Sequence, residues 1–295
     1  MATAFEQPVI VGIGEILWDV FPDGPRFGGA PANFACSTAG LADDVYDVVM
    51  VSGVGRDESG RSAIRELKSH GVLTQCVQQS EFQTGRVDVR IDASGDASYE
   101  FAENTAWDNL QWTNDLAATA RTAAAVCFGS LGQRSDISRQ VIEQFVMATP
   151  AHALRVFDVN LRPPFWTSEV ITASLPLANV LKCNDDELPM IAELVGFKGE
   201  SAELLQQFGE RFDYRVIALT CGANGSLLWT PEGIDRVAGV EVQVADTVGA
   251  GDSFTAALIL GLLKDEPLAQ VHQRAAQVAA FVCSQPGATP RIPPM

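Results

Sequence analysis

Short apolar runs alternate with helical segments along most of this 295-residue chain, and this alternation constrains its fold more than any other feature. Residues 8–14 and 45–55 are rich in β-branched residues and end in glycine-containing segments, which is typical of buried strands. A helical stretch, residues 32–42, lies between them. An amphipathic helix is predicted over residues 59–72, ending at Gly71.

The same order continues through the second half of the chain. Further strands are predicted at residues 124–130, 154–160, 179–184 and 214–220, with helices at 136–148 and 186–195 and two long helices at the end. Strands that alternate with helices form a parallel sheet with helices on both faces. We therefore predict one α/β domain over residues 1–295, with a central, mostly parallel sheet. Its ligands are expected beyond the carboxyl ends of the strands.

One region departs from this alternation. Residues 84–108 alternate polar and apolar side chains around a turn at Ser94, Gly95 and Asp96, which predicts an antiparallel hairpin with one solvated face. Together with residues 14–30 it would form a small sheet that projects from the main domain. A lid and an ordinary edge hairpin are equally compatible with this pattern. Exposed edge strands of such a sheet also make a homodimer possible.

Charge and composition exclude several classes of protein. The formal net charge of −17 argues against a nucleic-acid partner, which requires a basic surface. The apolar runs are too short to cross a bilayer, and the first residues lack an export signal, so we expect a cytoplasmic protein without a membrane partner. The six cysteines are scattered without a C-x-x-C pair, and we expect reduced thiols.

A candidate anion site lies in the sequence DTVGAGDSFTAALILGLL, residues 246–263. Gly249, Ala250 and Gly251 directly precede the apolar part of a predicted helix. Their backbone N–H groups, together with the positive end of the helix dipole, are suited to hold a phosphate. Two other phosphate-binding motifs are missing: there is no G-x-x-x-x-G-K-[ST], and Leu17 stands where the dinucleotide fingerprint has its third glycine.

Asp252, which follows this segment, has two interpretations. An isolated aspartate at the start of a helix is most often an N-cap. The neighbouring glycines favour a general base that accepts the proton of a hydroxyl during phosphoryl transfer, while the backbone N–H groups hold the phosphoryl oxygens. The helix dipole is expected to keep this carboxylate ionised.

Five segments in order give the chain a resemblance to a known family. Residues 246–263 resemble the C-terminal signature of the ribokinase-like (PfkB-type) carbohydrate kinases, and GGAPANFA at 28–35 resembles their sugar-binding signature in the form typical of bacterial fructokinases. The segments FDVNLRPPFW at 157–166, NDDE at 184–187 and TCGANGS at 220–226 also match. The resemblance spans about residues 12–290 and implies a three-layer αβα ribokinase-like fold with a small β lid, residues 14–30 and 84–108.

The resemblance also implies roles for individual residues. It makes Asp252 the catalytic base, with Gly249, Ala250 and Gly251 as the anion hole and Arg162 as a cation facing the phosphoryl group. The sugar-binding positions are Asp19, Gly28, Gly29 and Asn33. The positions on the ATP side are Asn184, Thr220, Gly222 and Gly225, and Glu187 is placed near Mg²⁺, acting through water.

Some members of the family also bind K⁺ through backbone carbonyls near the anion hole. The matching positions are Asp246, Val248, Val282, Gln285 and Gly287. Arg291 stands where some relatives have a serine, so K⁺ activation is the weaker expectation.

The resemblance implies ATP-dependent phosphorylation of a sugar hydroxyl, with Mg²⁺ as cofactor and fructose as the leading substrate. The form of GGAPANFA and the segment ENTAWD at 103–108 favour fructose, and the acidic chain disfavours an already phosphorylated sugar. A 2-keto-3-deoxygluconate kinase or a ribokinase is the alternative. Two other classes are a catalytically silent sugar-binding regulator and a dinucleotide-dependent oxidoreductase, and the missing glycine argues against the latter.

Overall fold

The computed structural model describes residues 5–42, 45–91 and 97–293. Its strands are β1 (Val9–Ile13), β2 (Leu17–Phe21), β3 (Gly24–Gly28), β4 (Asp47–Gly55), β5 (Val77–Ser80), β6 (Gly85–Ile91), β7 (Ala97–Phe101), β8 (Ala123–Gly129), β9 (Leu154–Asp158), β10 (Val180–Asn184), β11 (Val216–Thr220), β12 (Ser226–Thr230) and β13 (Gly233–Val237). Its α-helices are α1 (Ala30–Leu41), α2 (Glu58–Ser69), α3 (Asn114–Thr122), α4 (Asp136–Ala148), α5 (Ser168–Ser174), α6 (Glu187–Leu194), α7 (Ser201–Phe212), α8 (Ala250–Leu263) and α9 (Leu268–Cys283).

The central sheet confirms the predicted mostly parallel arrangement. Its strand order is β13-β12-β11-β10-β9-β8-β1-β4-β5, and the strands from β11 to β5 all pair in parallel. The other two, β12 and β13, extend one edge in antiparallel pairing. The chain between β11 and β12 is too short for a helical crossover, so the strand that follows must turn back antiparallel.

Side chains on successive positions of the buried strands point into two different cores. In β1, Val9, Val11 and Ile13 belong to an apolar cluster that includes residues of α4, α6 and α7. Ile10 belongs to a second cluster that includes residues of α1, α2, α8 and α9. Because neighbouring strand residues face opposite sides of a sheet, helices cover both faces, and the predicted three-layer α/β fold is confirmed.

The two segments predicted to form a small sheet do pair with each other. The strand order of this second sheet is β3-β2-β6-β7, with β2 and β6 parallel and the outer pairs antiparallel. The strands β6 and β7 form the predicted hairpin, but its turn at residues 94–96 lies outside the described residues. Closure of this sheet over a ligand, and pairing of its edges in a homodimer, stay predictions.

The second strand of the predicted hairpin ends earlier than expected, at Phe101 and not at residue 108. Residues 103–108 are not extended, because Ala106–Asn109 form a 3-10 helix after β7. Thr105 caps this helix reciprocally with Asp108, whose Oδ2 accepts hydrogen bonds from the Thr105 N–H and hydroxyl at 2.8 and 2.9 Å. Such a capping box competes with a strand ladder, and alternation of polar and apolar residues alone does not reveal it.

Arg134 connects this 3-10 helix to the chain that leaves the small sheet. Its guanidinium group donates to both carboxylate oxygens of Asp108 at 2.8 and 2.7 Å and to the carbonyl of Ala102 at 2.7 Å. The same group lies 4.1 Å from the centre of the Trp107 ring and 5.1 Å from that of Phe165. Both members of the ion pair are buried, with side-chain exposures of 9% and 5%.

Two further expectations concern the whole chain. All six cysteines lie in the described residues and are free, as predicted. Among the residues whose structure is described, no helix has the length and apolar character needed to cross a membrane.

We expect Arg134→Met to lower the free energy of unfolding by about 3–5 kcal/mol, because it leaves the buried Asp108 carboxylate without its charged partner. The matched control is Arg139→Met, whose partners Asp136 and Glu169 are exposed, and its effect should stay within about 1 kcal/mol. Urea unfolding measures both variants. Equal losses of unfolding free energy in the two variants would contradict the conclusion that the buried ion pair of Arg134 and Asp108 stabilises the fold.

Candidate active site

The candidate site lies at the carboxyl edge of the central sheet, where ligands were expected. Glu15 follows β1, Asp158 ends β9, Asn184 ends β10 and Thr220 ends β11. The amino ends of α1 and α8 reach the same edge, because a side chain of α1 contacts a side chain in the first turn of α8. The edge therefore collects residues from six separate segments of the chain.

The predicted anion hole is the amino end of α8. Gly249 is its N-cap, with a φ of +82°, and Ala250 and Gly251 are the first residues of the helix. A Cβ atom at position 249 would collide with the carbonyl oxygen of Ala288. Glycine is therefore required by both backbone conformation and packing. The first N–H groups of a helix lack intrahelical acceptors, so this end can donate to an anion.

Asp252 does not act as the N-cap of α8. It is the third residue of the helix, and its Oδ2 accepts a hydrogen bond of 2.9 Å from Nδ2 of Asn33 on α1. The capping interpretation of this residue was wrong, since Gly249 occupies that position. The alternative, that Asp252 is a general base, stays a prediction.

Burial alters the acidity of Asp252 in a way that the sequence did not reveal. The pKa of this carboxyl group is raised to about 6, chiefly by loss of solvent and next by the neighbouring charge of Asp158. Lys182, the hydrogen bond from Asn33 and Arg162 act in the opposite direction. At pH 7 most of the group remains ionised, as expected, but it is a stronger proton acceptor than an exposed aspartate.

The predicted sugar-binding residues lie together beside Asp252. Asn33 is buried, and its Oδ1 has no hydrogen-bond partner among the described residues. Gly28 ends β3 opposite β2, where a Cβ atom would lie 2.8 Å from Oδ2 of Asp19. Burial raises the pKa of Asp19 to about 6. Gly29 has a φ of +108° and caps α1. The arrangement offers acceptors and a donor, which are the groups that recognise sugar hydroxyls.

Arg162 follows β9 and projects an exposed side chain at the same edge. Its Nη1 donates to the carbonyl of Leu161 at 3.1 Å. Its positive charge offsets part of the burial effect on the pKa of three carboxyl groups, Glu15, Asp19 and Asp252. The guanidinium group is therefore near both the sugar residues and the predicted base.

The N-x-x-E segment forms a closed local unit. The Asn184 side-chain oxygen accepts from the Glu187 N–H at 2.8 Å, and Glu187 Oε2 accepts from the Asn184 N–H at 3.0 Å. The other oxygen of Glu187 accepts from the Leu161 N–H at 2.8 Å. Burial raises the pKa of Glu187. The segment thus joins β10 to the loop that carries Arg162.

The predicted ATP-side residues lie at the next strand end. Thr220 pairs with Asn184 in the register of β10 and β11, and its carbonyl accepts from the Asp185 N–H at 3.1 Å. Gly222 has a φ of +52°, and a Cβ atom there would meet nothing within 4 Å. At Gly225, by contrast, a Cβ atom would collide with the carbonyl of Val237. Gly222 therefore faces open space, whereas Gly225 is required by packing.

A buried chain of hydrogen bonds supports this loop from behind. Ser226 Oγ lies 2.7 Å from Nε2 of His272, and Nδ1 of His272 lies 2.6 Å from Oδ2 of Asp235. Burial lowers the pKa of His272. A neutral imidazole with its proton on Nδ1 can donate to Asp235 and accept from Ser226. The chain ties β12 and β13 to α9.

The residues named for K⁺ also lie together. Oδ1 of Asp246 accepts from the Val248 N–H at 3.0 Å, and Oδ2 accepts from the Gly287 N–H at 3.3 Å. The carbonyl of Val282 accepts from the Gln285 N–H at 3.0 Å. Arg291, the departure from the family pattern, is exposed. Asp246 therefore connects the segment before α8 to the turn after α9.

Sequence analysis missed three charged residues at this edge: Glu15, Asp158 and Lys182. Glu15 follows β1, Asp158 ends β9 and Lys182 stands in the middle of β10, and each is at most 6% exposed. Lys182 stands inside the buried run VLKCN, and a charged residue in such a run is itself a signal that a partner exists nearby. The identity of that partner depends on strand order, which the sequence does not state.

Glu15 is the most unusual of the three. Its Oε1 accepts from the Ala30 N–H at 3.2 Å, at the amino end of α1, whereas its Oε2 is buried without a hydrogen-bond partner among the described residues. Loss of solvent raises the pKa of Glu15 to about 7, against the opposing effect of backbone hydrogen bonds. The residue holds the helix that carries Asn33.

The carboxyl edge of the parallel sheet thus brings together a helix amino end, a buried aspartate and side chains able to form hydrogen bonds with hydroxyl groups. The model of the pfkB family carbohydrate kinases matches residues 24–294. This chain therefore belongs to the pfkB family of carbohydrate kinases.

Individual relatives agree with this assignment. A fructokinase of Solanum tuberosum is 28% identical over 313 residues, which cover 99% of this chain and 94% of the relative. A sugar kinase of Pyrococcus horikoshii, solved in complex with ATP, is 28% identical with a TM-score of 0.80 and covers 95% of this chain and 94% of its own. A fructokinase of Vibrio cholerae, solved with fructose, ADP and calcium, is 23% identical with a TM-score of 0.82, over 98% of this chain and 96% of its own.

Glu15→Gln is expected to make the protein more stable at neutral pH. Because folding raises the pKa of Glu15 from 4.5 to about 7, the folded protein binds more protons than the unfolded chain between these pH values. The wild type therefore loses stability as the pH rises through this window, by up to about 1.4 kcal/mol per pH unit. The variant lacks this loss.

Urea unfolding of the wild type and the variant at pH 4.5, 6 and 7.5 tests this expectation. The advantage of Glu15→Gln should grow across the series. The exposed Glu193 of α6 provides a matched control, because Glu193→Gln makes the same chemical change at a solvent-exposed position. If the free energies of unfolding of Glu15→Gln and the wild type differed by the same amount at all three pH values, the raised pKa of the buried Glu15 would be contradicted.

Proposed function

We propose that this sugar kinase transfers the γ-phosphoryl group of ATP to fructose and produces fructose 6-phosphate and ADP. The observation that carries the proposal is the hydrogen bond between Asn33 and Asp252. It joins the helix of the sugar-binding signature to the residue proposed as base, at the end of α8 that is suited to hold a phosphoryl group. This contact supports a proposal in which the acceptor sugar, the base and the anion hole meet at one point.

In the proposed reaction, Asp252 accepts the proton of the sugar hydroxyl as that oxygen attacks the γ-phosphorus. The bond between this phosphorus and the bridging oxygen of ADP breaks, and the proton later passes from Asp252 to solvent. The N–H groups at Gly249, Ala250 and Gly251 hold the phosphoryl oxygens, and Arg162 adds positive charge. Asp19, Gly28, Gly29 and Asn33 orient the sugar.

The ATP side of the proposal rests on Asn184, Thr220, Gly222 and Gly225. The open space at Gly222 would admit a nucleotide close to the backbone. Each oxygen of Glu187 accepts one backbone hydrogen bond, which leaves lone pairs for water. Mg²⁺ usually keeps several waters in proteins, so Glu187 fits a water-mediated site, and the ion would neutralise phosphate charge when bound.

Fructose is favoured by the fructokinases among the relatives, one of which was solved with fructose and ADP. The second candidate is 2-keto-3-deoxygluconate. Arg162 supports it, since an exposed guanidinium group beside the sugar residues would pair with the carboxylate of an acid substrate. A ribokinase remains a further alternative.

The experiment that tests the proposal is ADP release from Mg·ATP with a panel of fructose, 2-keto-3-deoxygluconate, ribose, glucose and adenosine. Turnover with fructose well above the others supports it. Preference for 2-keto-3-deoxygluconate would move the assignment to the acid sugar and leave the mechanism intact. Binding of sugar and ATP without turnover would identify a silent regulator and overturn the proposal.

Asp252→Asn is expected to lower kcat at least about 100-fold, because the amide cannot accept the hydroxyl proton. Sugar and ATP should still bind, since the amide is isosteric with the carboxylate. In the wild type, kcat/KM should fall below an apparent pKa near 6, as burial of Asp252 predicts, and this limb should vanish in the variant. Steady-state rates between pH 5 and 8 measure both effects. Near-normal turnover would exclude Asp252 as the base.

K⁺ activation is the weaker part of the proposal. Asp246 brings together the segments that would supply the carbonyl ligands, Val248 and Gly287. We expect higher kcat with K⁺ than with Na⁺ as the sole monovalent cation, because the ion would lie near the anion hole. Equal rates in the two salts would contradict a K⁺ site.

A further inference from the structure

Beneath the proposed anion hole lies a buried lysine that the proposed reaction does not yet use. Lys182 belongs to β10, and its side chain is 8% exposed. Its Nζ donates a hydrogen bond of 3.0 Å to Oδ1 of Asp158, at the end of the adjacent strand β9. A lysine ammonium carries a full charge and three N–H donors, so its burial at this place requires an explanation.

The ion pair is attached to the first turn of α8. The hydroxyl oxygen of Thr255 lies 3.1 Å from Oδ2 of Asp158 and 3.0 Å from the carbonyl oxygen of Gly251. Asp158 thus uses one oxygen for Lys182 and the other for α8. This network fixes the start of the helix relative to two strands of the sheet.

The ammonium group also reaches Gly251 directly. A Cβ atom built on Gly251 would lie 2.8 Å from Nζ of Lys182, closer than packed atoms allow. Because position 251 has no side chain, the Lys182 ammonium can approach the peptide that would hold the phosphoryl group. Packing alone would be satisfied by an apolar side chain at position 182.

The lysine remains charged in this environment. Burial by itself would lower the pKa of Lys182, but the charges of Asp158, Glu187 and Asp252 outweigh this effect and raise the pKa above its ordinary value. A neighbouring charge in a buried site acts more strongly than the same charge in water. Lys182 lowers the pKa of Asp252, whereas Asp158 raises it.

We propose that Lys182 is a positioning residue for phosphoryl transfer: its ammonium group, held by Asp158 against Gly251, supplies positive charge beneath the anion hole and near Asp252. The role rests on the proposed function, because it acts through Gly251 and Asp252 on a phosphoryl group and a hydroxyl. It accounts for a charged residue in the middle of a buried strand.

Other groups near Asp252 must be kept constant in any test. The charged, titratable or hydrogen-bonding groups that face it from neighbouring elements are Asp158, Lys182, Arg162, Glu15, Cys127 and Asn33. Lys182 and Asp158 are the members of this set that lie beneath the helix and pair with each other. Substitutions confined to this pair therefore isolate its effect.

The test compares Asp158→Asn with the double variant Asp158→Asn/Lys182→Met. The double variant removes both members of the ion pair, whereas Lys182→Met alone would leave the Asp158 carboxylate buried without its partner. In Asp158→Asn, the charges of Glu187 and Asp252 still act on the Lys182 ammonium. We expect kcat with fructose and Mg·ATP to be at least about tenfold lower in the double variant than in Asp158→Asn, since one charge or donor at such a site commonly contributes this much or more. The KM for fructose should change little.

The pH dependence supplies a readout that a merely structural role would not move. Carbon-13 NMR titration of the Asp252 carboxyl, identified by its absence in Asp252→Asn, gives its pKa without turnover. We expect this pKa to fall by about one unit in Asp158→Asn and to rise again in the double variant. Thr255→Val is the control, because it disturbs the same network without changing its charge. The pKa of Asp252 in this variant should stay near the wild-type value, and any loss of kcat should be well below that of the double variant.

Three results would overturn the inference. These are equal kcat in Asp158→Asn and the double variant, an Asp252 pKa that does not respond to Lys182, and a loss in Thr255→Val as large as in the double variant. Failure of the proposed function gives a different result, since the wild type itself would then turn over no sugar of the panel. The NMR titration would still decide in that case whether Lys182 sets the state of Asp252.

Discussion

The approach of α1 to α8 at the carboxyl edge of the sheet is the constraint on which the site depends. Asn33 reaches Asp252 because the two helices lie in the same layer, on the face of the sheet that they share with α2 and α9. Small residues make close contact possible in this layer: a Cβ at Gly261 would collide with Val271 of α9. The position of Asn33 relative to the anion hole is thus set by packing within this helix layer.

The same edge concentrates acidic groups that burial has made harder to ionise. Glu15, Asp19 and Asp252 all have raised pKa values, and for each the largest cause is loss of solvent. The positive charge of Arg162 limits this effect at all three groups, and that of Lys182 limits it at Asp252. A chain with a net charge of −17 whose proposed phosphoryl donor is an anionic nucleotide needs such local cations, because its overall field opposes the ligand.

Most of the architecture could be predicted from the sequence, because strands buried on both sides and amphipathic helices leave clear patterns. The helix predicted over 136–148 has those bounds in α4. Short or polar elements were not foreseen: β5, with the sequence VQQS, and β13, with GIDRV, are strands through their pairing rather than their composition. The 3-10 helix after β7 depends on a cap that alternation of residues conceals.

For the site, the motifs located residues that contact one another although they lie far apart in the sequence, including Asn33 of α1 and Asp252 of α8. They did not reveal Glu15, Asp158 or Lys182, whose partners come from other strands. The raised pKa of Asp252 is likewise a result of burial. From the helix dipole alone, the sequence analysis predicted an ionised group at pH 7 but not the raised pKa. Spatial neighbourhood, and not residue type, was the missing information.

The contact between Gly251 and Lys182 has an evolutionary consequence. Because a Cβ at position 251 and the ammonium of Lys182 cannot share the same space, the two positions are not free to drift separately. A lineage that acquires alanine at 251 must shift the end of the Lys182 side chain or replace it, and either change alters the partner that Asp158 meets. Three positions from three separate segments would then change as a unit.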